Sequence, residues 1–236
     1  MIYDLIDAIK QADIFTLVSI LFTVFILFFV CMPSHEFAHA WVADKLGDKT
    51  ARYQGRLTLN PFKHLDLFGF IMMMLIGIGY AKPVPVNMFN FKNKKRDMAL
   101  VSLAGPMMNL FCGIIAIFLS VLLFNSAHIL AYRGTPSILL VRVVAILYYA
   151  FILVAHICVS LAIFNLIPIP PFDGSRILGY FLPDKIYYKI MQYEQIIYIV
   201  VLVALWAGFL SGPISTVTDA VFNFFYNMFS TLLGGF

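Results

Sequence analysis

Charge is scarce in this chain. Of its 236 residues only 12% are charged, about half the roughly 25% of a soluble domain, which excludes an ordinary water-soluble globule. Glutamate occurs just twice, at Glu36 and Glu194. The three cysteines, Cys31, Cys112 and Cys158, all sit inside apolar runs, so neither a disulfide framework nor a cysteine-based metal site is indicated, and they read as small core residues. No polar stretch approaches the ~100 residues that an additional soluble domain would take. The first apolar run, residues 14–32, lacks a basic leader and a small-residue cleavage site, so it is expected to stay as a span.

What fills the chain instead is apolar. Hydrophobic residues make up 62% of it, with 24 Phe and 12 Tyr, and the mean hydropathy is +0.92. Several runs reach the ~20 residues that a helix needs to cross a ~30 Å hydrocarbon layer. The expected fold is an all-α polytopic membrane protein, a helical bundle of about four to six transmembrane segments. It forms one membrane-embedded domain over residues 1–236, with a core at about 14–180 and C-terminal apolar segments at 194–236. The net charge of +4 does not imply a nucleic-acid partner. Ten of the sixteen Lys and Arg residues fall in two windows, 45–63 and 82–96, which suits cytoplasmic membrane-proximal loops.

That charge bias orients the chain. The N-terminal segment carries Asp4, Asp7 and Asp13 against Lys10 and is expected outside. Residues 67–80 form an apolar stretch only about 21 Å long as a helix, and both flanks are basic. With Gly69, Gly77, Gly79, Pro83 and Pro85, the segment reads as a re-entrant element of hairpin type; a short tilted span is the alternative. Residues 98–124 then cross outward, 125–137 make a short external loop, and 138–167 return, bringing Asp173 to the same side as His35 and His39. Residues 196–210 cross out again, and 214–236 are either a last span or an interfacial helix.

His35-Glu36-Phe37-Ala38-His39 is the sharpest chemical signal. On a helix, residues four apart lie about 40° apart around the axis, so both imidazoles reach one metal ion while Glu36 faces a metal-bound water. At the end of an apolar run these groups are costly unless they are paired, metal-bound or wetted. Tetrahedral catalytic zinc needs a third protein ligand. Asp173 is the candidate: it is the first acidic residue after Asp97 and ends a returning span. The alternative is a turn carboxylate that bonds local amides.

With Ser102-Leu103-Ala104-Gly105-Pro106-Met107-Met108-Asn109 and Asn165-Leu166-Ile167-Pro168-Ile169-Pro170-Pro171-Phe172-Asp173-Gly174, the His35 block resembles the signature blocks of the site-2 protease family, intramembrane zinc metalloproteases of M50 type, in the family's order. The resemblance covers roughly residues 14–180. It implies one Zn2+ per chain held by His35, His39 and Asp173, with Glu36 as general base and acid. Asn165 is implied as a residue that helps hold the substrate or the oxyanion; a purely structural amide joining two helices is the alternative. The implied substrates are transmembrane proteins, or the remnants that an earlier cut leaves in the lipid bilayer. The implied location is a bacterial cell membrane, with the active site towards the cytoplasm. The thirteen residues at 125–137 leave no room for the PDZ domain of some relatives, and the chain reads as a short form without PDZ or nucleotide-binding domain.

Other polar residues are expected to be structural. Gly105, Pro106 and Asn109 fit close helix packing. His64 is expected to hydrogen-bond at the interface, with contact to metal or substrate as the alternative, and His156 to be a packed, hydrogen-bonded histidine. Residues 67–87 are expected to offer an extended edge to which an unwound substrate adds. Two rival classes stay open from sequence alone: a membrane metal-ion transporter, and a non-catalytic scaffold that binds membrane helices.

Overall fold

The computed structural model of the chain describes residues 13–66, 68–69, 82–132 and 137–234. Every regular element among the described residues is a helix. The expected re-entrant segment at 67–80 lies almost wholly outside the described residues.

Helix α1 runs from Ile14 to Lys45. Asp13 starts it by accepting hydrogen bonds from the Phe15 and Thr16 amides, the ordinary service of an aspartate at a helix N-terminus. Leu27–Cys31 form one π turn, in which the Met32 amide reaches back to the Leu27 carbonyl. Pro33 follows directly. It has no N–H to return to the preceding turn, so the widened turn and the missing bond fall together and the helix continues. The apolar run and the histidine motif therefore share one rod. The extra residue in the π turn rotates everything beyond it by about 100° relative to a regular helix.

Between α1 and the next long helix lies a compact polar connection. Asp44, 4% exposed, takes both arms of Arg52 at 2.8 and 2.6 Å and an ion pair from Lys49. Short helical turns at Thr50–Tyr53, Pro61–His64 and Met88–Asn90 fold the rest.

Helix α2, Lys94–Tyr132, is 39 residues long. Its start is closed reciprocally: the Arg96 amide donates to Asn93 Oδ1 and the Asn93 amide to Asp97 Oδ2, the logic of a capping box. It passes Pro106 unbroken. It also runs through residues 125–132, where a loop was expected. Ser126 turns its hydroxyl back onto the Leu122 carbonyl, so this polar residue sits in a helix without a competing turn. Helix α3, Ile138–Asn165, packs along α2 in the most extensive helix pair of the structure, and α1 packs on both. Leu27, Cys31, Ile117, Val154, Cys158 and Phe222 form the main apolar core, and Ile20, Val24 and Phe28 a second cluster. Cys31 and Cys158 are buried free thiols, in keeping with their reading as core residues.

Helix α4, Asp173–Phe181, lies against α2. Helices α5, Asp184–Met191, and α6, Glu194–Trp206, are bent by 64° at their junction and pack sparsely on the rest. Helix α7, Ser211–Leu232, lies on α3 and α2 through an aromatic face that includes Phe222, Phe225 and Phe229. Among the described residues three helices are long and apolar enough to cross a membrane, Ile14–Lys45, Lys94–Ser126 and Ile138–Asn165, or four if α5 and α6 count as one broken span. The described residues thus form an all-helical membrane protein.

Candidate metal centre

The end of α1, the start of α4 and the first third of α2 meet at one point. Successive turns of α1 put His35 Nε2 3.1 Å from His39 Nε2, with the two rings nearly perpendicular at 87°. Asp173 opens α4 and aims Oδ2 at the same place, 3.3 Å from His39 Nε2 and 3.6 Å from His35 Nε2. Gly174 makes that approach possible. A Cβ there would lie 2.3 Å from the Leu166 carbonyl, so only glycine lets α4 start this close to the end of α3.

These distances discriminate between explanations. A charge-assisted N–H to carboxylate hydrogen bond is about 2.7–2.9 Å long, shorter than either separation to Asp173. Tetrahedral zinc with ligands at about 2.0–2.2 Å sets its donors roughly 3.3 Å apart, which is the scale observed. The donor set agrees. His39 Nδ1–H donates to the Val101 carbonyl at 2.7 Å, which leaves Nε2 of the neutral ring as a lone pair. Three lone-pair donors crowded at one point repel unless a cation lies among them, and two imidazoles with one carboxylate are the ligands of a zinc hydrolase. The residues present therefore fit a zinc ion.

Electrostatics keeps the third donor anionic. Burial pushes the Asp173 carboxyl up, but the facing imidazoles and the charge of Arg176 outweigh it and hold the group below the usual carboxylate range. Gly105 of α2 forms the floor of the cluster. An added Cβ would sit 2.3 Å from His39 Nε2 and 2.5 Å from His35 Cε1. Asn109, 4% exposed, also lies beside His35, whose buried Nδ1 has no partner in hydrogen-bonding geometry among the described residues. Gly105 and Asn109 are thus part of the site's wall and not just helix-packing residues.

Glu36 is buried, and its Oε2 accepts a hydrogen bond from the Val84 amide at 2.8 Å. Asn165 ends α3 half-buried. His64 is fully buried and donates Nε2–H to the Thr58 carbonyl at 2.7 Å. Burial, reinforced by the Arg56 charge, outweighs that bond and lowers its pKa from the usual histidine value. It stands apart from the donor cluster. His156 donates Nδ1–H to the Ile152 carbonyl at 2.9 Å and stacks on Phe222, a packed and hydrogen-bonded ring. The signals that sequence reading missed are mostly backbone groups, the Val101 carbonyl and the Val84 amide, which no side-chain pattern announces.

Comparison with known proteins agrees with this geometry. The model of "Peptidase family M50" matches residues 23–208. A Bacillus subtilis protein named "Putative zinc metalloprotease YwhC" is 38% identical over 209 residues, covering 86% of this chain and 91% of its own length. "Putative zinc metalloprotease MJ0611" of Methanocaldococcus jannaschii is 28% identical over 73% of this chain and 80% of its own length. "Putative zinc metalloprotease Rip2" of Mycobacterium tuberculosis is 28% identical over 78% of this chain and 66% of its own length. No solved structure matches the chain. The histidine motif, the distant aspartate that joins it and a family match over most of the sequence lead to one assignment: the chain belongs to peptidase family M50.

Proposed function

We propose that the protein is a zinc-dependent endopeptidase that hydrolyses peptide bonds in or near the transmembrane segments of membrane proteins, with His35, His39 and Asp173 as ligands of one Zn2+. The observation that carries this reading is the convergence of their donor atoms at 3.1–3.6 Å on the helix that also bears Glu36. His35 lies 21 residues beyond Ile14 on α1, about 32 Å at 1.5 Å per residue, so the cluster belongs near the far face of a ~30 Å apolar layer. The Lys and Arg bias of the adjoining loops makes that face cytoplasmic.

Zinc bound there supplies Lewis-acid polarisation of a water and of the scissile carbonyl, drawing the water's pKa towards ~7. The rest falls to the chain. Glu36 Oε2 is occupied by the Val84 amide, which leaves Oε1 to take a proton from the attacking water and pass it to the leaving amine. Asn165 is assigned as a donor to the carbonyl oxygen as negative charge grows on it, a role worth about 3 kcal/mol where such donors have been removed. Asp173 and the two histidines keep their orientation throughout.

The substrate helix must be unwound before its amide is accessible. Residues 82–87 are irregular and extended beside Glu36, but Pro83 and Pro85 carry no N–H and the Val84 amide is taken. An added strand therefore finds no amide donor at 83–85 and pairs there only through carbonyls.

The test is Glu36→Gln in reconstituted vesicles with a model transmembrane peptide. The expected result is zinc retained with cleavage abolished. Unchanged cleavage overturns the proposal, as does zinc flux without any cleavage, which would assign the cluster to transport.

A further inference from the structure

The segment that reaches Glu36 is held in place by a buried cation that the proposed chemistry has not yet used. Arg56 is 7% exposed. Its Nη2 donates to the Lys82 carbonyl at 2.6 Å and, more weakly, to the Pro83 carbonyl at 3.4 Å. The Lys82 amide donates to the His64 carbonyl at 2.9 Å. Further along, the Asn87 amide donates to Asp48 Oδ2 at 2.7 Å. Residues 82–87 are thus tied at both ends to the polar connection that follows α1, and between the two ties the Val84 amide meets Glu36.

The local sequence leaves this contact without a substitute. In Pro83-Val84-Pro85, both prolines lack an N–H, and each favours an extended residue before it. Val84 therefore carries the one amide hydrogen of the three, and the register of the segment decides whether it lands on Glu36. A guanidinium in a site this buried is costly to leave idle, and although its Nε finds no partner in hydrogen-bonding geometry among the described residues, its Nη2 is engaged. Here it fixes the two carbonyls immediately preceding Val84.

We infer that Arg56 is a positioning residue for the general base: by clamping the Lys82 and Pro83 carbonyls it sets the register that places the Val84 N–H on Glu36, so that the carboxylate is held in one rotamer with Oε1 free. The inference rests on the hydrolase reading above. It assigns Arg56 no contact with substrate or metal. A residue acting through a second one in this way typically contributes about 10- to 100-fold.

The experiment uses the full chain in vesicles, zinc-loaded, with a model transmembrane peptide as substrate. Four quantities are followed: kcat, KM, zinc per chain, and hydrogen exchange at the Val84 amide. Arg56→Gln is expected to lower kcat about 10- to 100-fold with KM and zinc content held, and to speed exchange at Val84. Arg56→Lys, which keeps one charged donor, recovers a substantial part of kcat. Val84→Pro, which deletes the N–H but keeps an extended backbone, is expected to lose at least about tenfold more than Val84→Ala. Wild-type kcat in Arg56→Gln overturns the inference. So does loss of zinc in step with kcat, or equal losses in the two Val84 variants. If the wild-type protein does not cleave the peptide at all, the hydrolase reading fails. Exchange at Val84 in Arg56→Gln then still decides whether Arg56 holds the segment.

Discussion

Among the described residues a histidine meets an aspartate at two places in this bundle, and the two differ in the number of converging donors and in exposure. Where α1 meets α4, His35, His39 and Asp173 have side chains only 11–18% exposed, and their donor atoms face one another. At the other, between α3 and α7, His156 and Asp219 are 38% and 60% exposed and 3.8 Å apart. There a single imidazole is stacked on Phe222 with one nitrogen committed to its own helix. A carbonyl fixes a ring at each site, but only the first has a second imidazole beside it and a glycine floor beneath both rings. A His and an Asp in contact do not make a metal centre. Convergence of three donors, orientation from behind and removal of side-chain bulk do.

The largest expected effect tests the convergence itself. Asp173→Ala or His39→Ala should weaken zinc binding by at least about 100-fold, because even groups that merely orient ligands carry 10- to 100-fold; metal analysis after dialysis reads this directly. Undiminished zinc in Asp173→Ala would remove that residue from the coordination sphere.

Next comes the floor. Gly105→Ala forces a methyl group to within 2.3 Å of His39 Nε2, and zinc retention and cleavage should each fall by about tenfold or more. Gly212→Ala, where an added Cβ meets nothing within 4 Å, should change stability by no more than about 0.5–1 kcal/mol, in the stabilising direction.

The tether beyond Val84 gives a smaller, pH-dependent effect. Asp48 is fully buried. Burial pushes its carboxyl up, but hydrogen bonds from Thr50, Asn90 and the Asn87 amide outweigh that and hold it below its ordinary 3.8. A depressed acid stabilises the fold above its unfolded value and loses that contribution as pH falls through the folded one. Asp48→Ala should therefore cost about 1–3 kcal/mol near neutral pH, from donors left unpaired. The gap from the wild type should close as pH drops below about 3.8, as followed by thermal melts in detergent. A gap that does not depend on pH would contradict the assignment.

The smallest effect lies at the second meeting. His156→Phe keeps a ring against Phe222 and should shift stability by under about 1 kcal/mol, with zinc content unchanged. Loss of zinc there would erase the contrast.

Much of the metal centre was legible because its elements are local or rare. Two histidines one turn apart need only a helix to meet, and Asp173 is the first acidic residue after a long stretch without any. Gly105 was legible only as a small residue. That it lies under two imidazoles depends on how α1 crosses α2. The length of α2 was hidden because Asn125 and Ser126 look like loop residues, yet Ser126 satisfies its hydroxyl on the helix behind it. The continuity of α1 through Pro33 was hidden as well, because the π turn that accommodates it leaves no compositional mark.

From its own pattern the chain determined an apolar helical protein with a histidine pair at the end of its first long helix, because hydrophobic run length and four-residue spacing are properties of neighbours in sequence. Only the tertiary structure decided which carbonyl orients His39, which amide holds Glu36 and which cation sets that amide's register. Those partners lie 62, 48 and 26 residues apart. All three are contacts of a side chain with main chain, which carries no mark in the residue pattern. Nothing but the folded path of the chain selects among them.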